Sequence, residues 1–366
     1  MAPCLFLCGD VMTGRGLDQI LPHPSEPRLY EPVIKLATDY VDLAEAANGP
    51  IARPVDFSYV WGDAIAELER VQPDARVINL ETSVTTCGSA ADKDIHYRMN
   101  PRNIGCLTAA NIDCCALANN HVLDWGEGGL LETLRTLSKV GLATAGAGAN
   151  LAEARSPAVI GLTGGNRLLV FAFGMTSSGI PRAWAARPGR AGINLIPDLS
   201  ANSADAIADQ VRGVQRPGDV VIASIHWGGN WGYAISPAQR TFAHRLIETT
   251  EVHLIHGHSS HHFRAIEVYQ GKLILYGCGD FLNDYEGISG YESFRSDLAL
   301  MYFASVDPGG GYLRDLEIIP LRTRRMRLER VPQDDRDWTL ERLNREGSLL
   351  GTSVVSHGDA SLWLKW

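Results

Sequence analysis

The sequence predicts an α/β fold, and three observations carry that prediction. Short apolar, β-rich runs alternate with segments of helical periodicity over most of the chain. Runs such as "GDVVIASIHW" are apolar on successive residues, the mark of strands covered on both faces. With 366 residues, 45% of them hydrophobic, the chain can bury the core of one large α/β domain or of two smaller ones.

Taken in order, "CLFLC" (4–8) is the first strand and stops at Gly9-Asp10. "EPVIKLATDYVDLAEAAN" is a helix with Val33, Leu36, Ala37, Tyr40, Val41 and Ala44 on one face. "WGDAIAELERV" is a second helix, and the strand "ARVINL" after it stops at Glu81. The strand "IDCCALA" stops at Asn119, and "GGLLETLRTL" is the helix that leaves it. "SPAVIGLTGGNRLLVFAF" is a hairpin turning around Gly164, Gly165 and Asn166. "GDVVIASIHW" stops at His226, the helix "PAQRTFAHRLIETT" follows, and "VHLIHGH" stops at His258. "RAIEVYQGKLILYGCGDF" is a second hairpin, turning at Gln270-Gly271, and "LALMYFASV" pairs with "YLRDLEIIPL". "RTRRMRLER" (322–330) alternates basic and apolar residues and reads as a solvated edge strand. With no repeat and no low-complexity linker, the expectation is one domain over 1–330 with an appendage, 331–366, packed on it.

Charge narrows the function classes. A net charge of −9 and a pI near 5.7 argue against nucleic-acid binding, which needs a basic face. The seven cysteines include no CxxC and read as reduced thiols, most of them buried. No stretch approaches the roughly 20 apolar residues of a membrane span, and "MAPCLFLCGDVM" turns polar too soon for a signal peptide. The expected location is the cytoplasm.

The strand ends hold the main signal. Five apolar strands finish at Asp10, Glu81, Asn119-Asn120-His121, His226 and His256-Gly257-His258. Parallel strands bring such ends to one edge, where an α/β sheet binds its ligands. Each end has an ordinary explanation as a turn or a helix cap. Five ends carrying carboxylates, a carboxamide and imidazoles together fit a divalent cation better. "HGHSSHH" adds four histidines in seven residues, of which His262 lies past the pattern and is left out.

These stretches resemble the CapA-type proteins of bacterial capsule and poly-γ-glutamate synthesis, relatives of the calcineurin-like metallophosphoesterases. The resemblance rests on "GDVMTGRG", "NLETSV", "ALANNHVLDWGEGGLLETL", "GAGANLAEARSP", "SIHWGGNW", "HGHSSHH" and "AIEVYQGKLILYGCGDFLND". It implies a four-layer α/β sandwich, two central mixed sheets flanked by helices, with metal at the strand ends. Asp10, Glu81, Asn120, His226, His258 and His261 match metal-ligand positions, and His121 matches a histidine that acts as acid or donor. Three departures stand out. Met12 replaces the histidine that phosphoesterases carry two residues after the first aspartate. Asp280 replaces the asparagine of a "GNF" stretch, and no membrane anchor of the capsule-assembly kind is seen.

The chemistry expected from this set is acid–base work beside a cation, with Asp10, His121, Asp124, His226 and Asp280 as the catalytic groups. Asp124 either orients His121 or caps the following helix, and Asp280 reaches His226 or His258. Arg15, Lys93 and Arg98, with Trp227, are the expected substrate contacts. Some soluble CapA-like proteins epimerise a residue of a ribosomally made, lasso-type peptide, so Cα epimerisation is the leading expectation. The alternatives are a metal-dependent hydrolase of phosphoesters or γ-glutamyl amides and a capsule or poly-γ-glutamate biosynthesis protein. The substrate is a peptide or an acidic polymer. The cation is manganese, calcium or magnesium, with zinc and iron open, and no organic cofactor is expected. "NDYEGISGYESF" (283–294) is either a lid or a plain surface loop.

Overall fold

The computed structural model describes residues 2–358 and 361–366. The chain opens with β1 (Cys4–Val11), α1 (Ala37–Asn48), α2 (Ala64–Val71), β2 (Ala75–Leu80), β3 (Cys114–Ala116), α3 (Gly126–Lys139) and β4 (Ala143–Ala145). It continues through β5 (Ala158–Gly161), β6 (Arg167–Met175), β7 (Leu195–Ile196), α4 (Ala201–Arg212), β8 (Val220–His226), α5 (Pro237–Thr249) and β9 (Leu254–His258). The last part holds β10 (Ile266–Tyr269), β11 (Lys272–Leu275), β12 (Asp280–Leu282), β13 (Leu298–Val306), β14 (Leu313–Arg324) and β15 (Arg327–Arg330). It ends with α6 (Gln333–Gly347), β16 (Ser353–His357) and β17 (Ser361–Lys365).

These strands form two mixed sheets. The larger has the order β16-β17-β14-β13-β1-β2-β3-β4, with β12 also paired to β1 and β15 to β14. The smaller has the order β7-β6-β8-β9-β11-β10, with β5 paired to β6. In the larger sheet β1, β2, β3 and β4 run parallel, as do β6, β8, β9 and β11 in the smaller. Strand ends carrying the polar residues therefore fall on one edge of each sheet.

Period-two alternation divides each strand between two surfaces. On β8, Val220 and Ile222 join the core shared with the larger sheet, whereas Val221, Ala223 and Ile225 join a second core with α4 and α5. His226 continues the first set and Trp227 the second. On β9, Leu254 faces the shared core and Ile255 the helices. The same rule turns His256 and His258 toward the larger sheet, and His256 Nε2 lies 2.7 Å from the Cys8 carbonyl oxygen.

Two sequence expectations need correction. The helix expected from residue 31 begins at Ala37, because a bridge between Arg28 and Leu36 holds the preceding segment in a loop. Val33 is consequently exposed. "RTRRMRLER" is not one edge strand but a tight hairpin between β14 and β15, with Arg325 and Met326 both at positive φ. The carboxy-terminal residues join the larger sheet, β17 pairing with β14 and β16 with β17. Among the described residues, no helix is long and apolar enough to cross a membrane.

Close approach of β1 to the chain entering β12 sets the position of Asp10. A methyl group on Gly9 would lie 1.6 Å from the Gly279 carbonyl oxygen, whereas Gly161 on β5 faces open space. Gly9→Ala is therefore expected to cost about 3 kcal/mol in urea unfolding, and Gly161→Ala less than about 0.5 kcal/mol. Equal midpoints for the two variants would show that this contact does not constrain β1.

Candidate functional site

The site is built from backbone register. Asp10 stands opposite Asp280 on β12 and opposite Asn79 on β2, and His226 stands opposite His258. Asn79 Nδ2 donates to Asp10 Oδ1 (2.8 Å), and the Ser259 amide donates to Asp10 Oδ2 (3.2 Å). After β3, Asn119 shapes the turn. Its side-chain amide donates to Asn79 Oδ1 and the Leu80 carbonyl, and its oxygen accepts from the amides of His121 and Val122. Asn119 is thus spent on structure, and the next two residues are presented to the site.

Asp10, His226 and His258 each place one ligand atom within 4.8 Å of the others. Hydrogen-bond partners fix which imidazole nitrogens are bare. His256 Nε2 faces a carbonyl, so it carries the hydrogen, and His256 Nδ1 accepts from Ser224 Oγ (3.1 Å). Having donated there, Ser224 Oγ accepts from His258 Nε2 (2.9 Å), which leaves His258 Nδ1 bare. His226 Nε2 donates to Asn120 Oδ1 (2.8 Å), which leaves His226 Nδ1 bare as well. The two bare nitrogens face each other at 2.8 Å.

Lone pairs at that distance repel unless a proton or a cation lies between them. Burial, followed by the charge of neighbouring imidazoles, pushes both His226 and His258 well below the usual histidine range, which disfavours the proton. Adjacent ligands on a cation with metal–nitrogen bonds of about 2.0–2.1 Å sit roughly 3 Å apart. The donor set therefore fits a divalent cation. Burial and then the Asp280 carboxylate push Asp10 up to about 7; burial and then Asp10 raise Glu81. A positive ion would reverse both shifts.

Around this cluster lie two imidazole–carboxylate pairs. His121 Nδ1 is 2.6 Å from Asp124 Oδ2, which also accepts the Tyr97 amide, while Asp124 Oδ1 accepts from Lys93 Nζ at 2.7 Å. Burial pushes His121 down to about 4 against the pull of Asp124. Asp124 lies below its ordinary value, because His121 and Lys93 outweigh its burial. Of the two roles open to Asp124, orienting His121 is the one observed; α3 starts with no side-chain cap. In the second pair, Asp280 reaches neither His226 nor His258. It holds His261 Nδ1 at 2.9 Å, since β12 lies beside β1 and under the turn after β9. Burial works against a proton on His261, but Asp280 overcomes it and raises the pKa. Glu81 Oε1 stands 3.8 Å from both His121 Nε2 and His226 Nε2.

A cavity of about 840 Å³ opens over these groups, lined by Glu81, Lys93, Asn120, His121, His226 and His261. The segment 283–294 forms part of its wall, with Tyr291 stacked on Trp231 at 4.0 Å and 6°. Three of the expected substrate contacts need correction. Arg15 lines the cavity, yet its guanidinium is committed to Asp284, Glu31 and the Tyr40 hydroxyl. Its backbone sits at φ 49°, in a region that favours glycine, held there by Asp284, which also takes the Gly16 amide. Arg98 lies over the Trp125 ring and outside this cavity. Trp227 points to the helices by strand alternation and donates to the Tyr276 carbonyl. Lys93 alone of the four is a cavity residue with donors directed at the site.

Several residues of the site carry no recognisable signal in the sequence. Ser224 sits inside an apolar strand, and its role follows only from the pairing of β8 with β9. Tyr97 presents its ring to the edge of His121 at 4.5 Å and 89°, and its hydroxyl meets that of Tyr285 at 2.8 Å. Tyr285 in turn approaches Met12 Sδ at 3.7 Å, so the position of the missing histidine is occupied by a thioether against a phenol.

The family model "Bacterial capsule synthesis protein PGA_cap" matches residues 4–285. A probable polyglutamine synthesis accessory protein of Mycobacterium tuberculosis is 49% identical over 360 residues, 97% of this chain and 94% of that protein. The PGA biosynthesis protein CapA of Bacillus subtilis is 25% identical over 86% of this chain and 70% of its own length. The capsule biosynthesis protein CapA of Bacillus anthracis is 26% identical over 63% of this chain and 53% of its own.

Two outcomes test the site. Ser224→Ala removes the acceptor that holds the His258 tautomer and is expected to weaken manganese or zinc binding roughly 10- to 100-fold in calorimetry. Unchanged affinity would disprove the relay. The second concerns pH. Asp10 and Glu81 have folded-state pKa values above their unfolded ones, so in cation-free protein their contribution to stability is present at low pH. It is lost as pH rises through the raised pKa. Cation binding keeps both ionised, so the melting-temperature gap between cation-loaded and chelated protein should widen from about pH 5 to about pH 8. A gap independent of pH would contradict the assignment.

Proposed function

The chain belongs to the bacterial capsule synthesis family PGA_cap, and on that premise we propose that it is a metal-dependent enzyme acting on a chain of glutamyl or glutaminyl units. We read the two-sheet core as a calcineurin-like sandwich, with the cation held by Asp10, His226 and His258 and flanked by Glu81, Asn120 and His261. The reaction class is acyl transfer at an amide bond of that chain, to water or to an amine. One observation carries this reading: His121, paired with Asp124, and His226, a member of the Asp10–His226–His258 cluster, line the same cavity.

When bound, a divalent cation supplies Lewis-acid polarisation of a carbonyl group. The protein's own groups do the rest. Asp124 accepts the Nδ1 hydrogen of His121, so His121 Nε2 is bare and directed to the cavity. From there it takes a proton from the incoming nucleophile and returns it to the leaving amine, while ionised Asp124 steadies the imidazolium between the two steps. Lys93 shares Asp124 and lines the cavity, where it attracts a substrate carboxylate. Tyr97 and Asp124 together hold the imidazole plane, which keeps the proton path short.

A second reading rests on two imidazoles whose pKa values are shifted in opposite directions. His121, with its pKa lowered, and His261, with its pKa raised, both line the cavity, the combination that Cα epimerisation of a peptide residue needs. The names of the relatives favour polymer synthesis over that reading. A phosphoester substrate is favoured less, because Met12 removes a ligand from a second cation position.

With the manganese-loaded protein and a glutamate oligomer, mass spectrometry should detect hydrolysed or transferred products. His121→Ala should reduce the rate roughly 100-fold or more without changing cation stoichiometry. Chelator should abolish the products. Deuterium at a single Cα after incubation in deuterated water, with no change in oligomer length, would replace this reading by epimerisation.

A further inference from the structure

One wall of the cavity is made by a segment that the sequence marks only as basic. Arg322 and Arg324 lie two residues apart on β14 and so project from the same face of the strand. Both line the cavity that holds the His121 and His226 side chains. Their donors are largely unspent. Arg322 Nη1 reaches Asp335 at a long 3.4 Å, and its Nε is buried with no partner. Arg324 is exposed and has no carboxylate partner among the described residues.

Three carboxylates on the same wall are hydrogen-bonded elsewhere, and of these only Asp297 is paired with a cation. Glu286 accepts the backbone amides of Arg325 and Met326 and the side chain of Asn48. Asp297 forms two hydrogen bonds with Arg295, which also takes Asp335. Glu292 accepts the Gly290 amide. An arginine pair with free donors beside committed carboxylates is a receptor for a planar anion. Lys93, His121 and His226 line the same cavity as this pair.

We propose that Arg322 and Arg324 form an anion subsite for a side-chain carboxylate of an oligomeric substrate whose backbone lies at the His121 end. The subsite makes this protein selective for an acidic, glutamyl chain over a neutral, glutaminyl one. This proposal rests on the polymer reading given above and adds the charge of the substrate to it.

The test is calorimetric titration of the manganese-loaded protein with glutamate oligomers and glutamine oligomers of equal length. Glutamate oligomers should bind roughly 10- to 100-fold more tightly, the scale of charge-assisted hydrogen bonds. R322Q/R324Q should remove most of that preference, R324Q alone part of it, and R322K/R324K should restore some. R314Q, at an exposed arginine paired with Asp307 outside the cavity, should leave the preference intact. A preference for glutamate that survives in R322Q/R324Q would overturn the subsite while leaving the polymer reading standing. If neither oligomer binds the wild-type protein while manganese does, the polymer reading and the subsite fall together.

Discussion

Two bare imidazole nitrogens held 2.8 Å apart, with a buried carboxylate beside them, are the constraint around which the rest of the structure is arranged. Neither nitrogen can turn away. His258 is tied through Ser224 to His256, and His256 to the carbonyl of Cys8 on the other sheet. His226 is tied to Asn120. The tie to Cys8 crosses the shared core, so the orientation of a ligand on the smaller sheet depends on the packing of the larger. Buried polar groups of this kind are costly unless every member has a partner. Here each tie has one, and the remaining lone pairs and carboxylates converge on a single point.

The same arrangement sorts the surrounding groups by proton affinity. Burial lowers the pKa of His121 to about 4, and the neighbouring Asp280 raises that of His261. Both open on one cavity. The aromatic rings of Tyr97 and Tyr285 pack against His121 and His261 on one hand and Arg15 on the other. Arg15 contributes by fixing those rings, since its charge is already neutralised by Asp284 and Glu31.

Much of this was legible in the chain because strands carry their own geometry. The polar residue that closes each apolar run pointed to Asp10, Glu81, Asn119-Asn120-His121, His226 and His256-Gly257-His258, and the family resemblance singled out Asn120 and His258 within their ends. The partners of these residues were not legible. Asp280 meets His261 only because β12 inserts beside β1, a pairing between residues 270 positions apart that no local pattern records. Arg98 follows a matched stretch and Trp227 lies inside one, yet a one-residue step along a strand sends a side chain to the opposite face. Arg322 and Arg324 were hidden for the converse reason: a basic alternation looks like solvated surface until the chain folds it over a cavity.

The most direct measurement is an anomalous-scattering map from crystals grown with manganese. One strong peak is predicted, bonded at about 2.0–2.3 Å to His226 Nδ1, His258 Nδ1 and the Asp10 carboxylate. Saturating manganese that yields peaks only on surface carboxylates, with the two imidazoles still facing each other, would contradict a cation at this site.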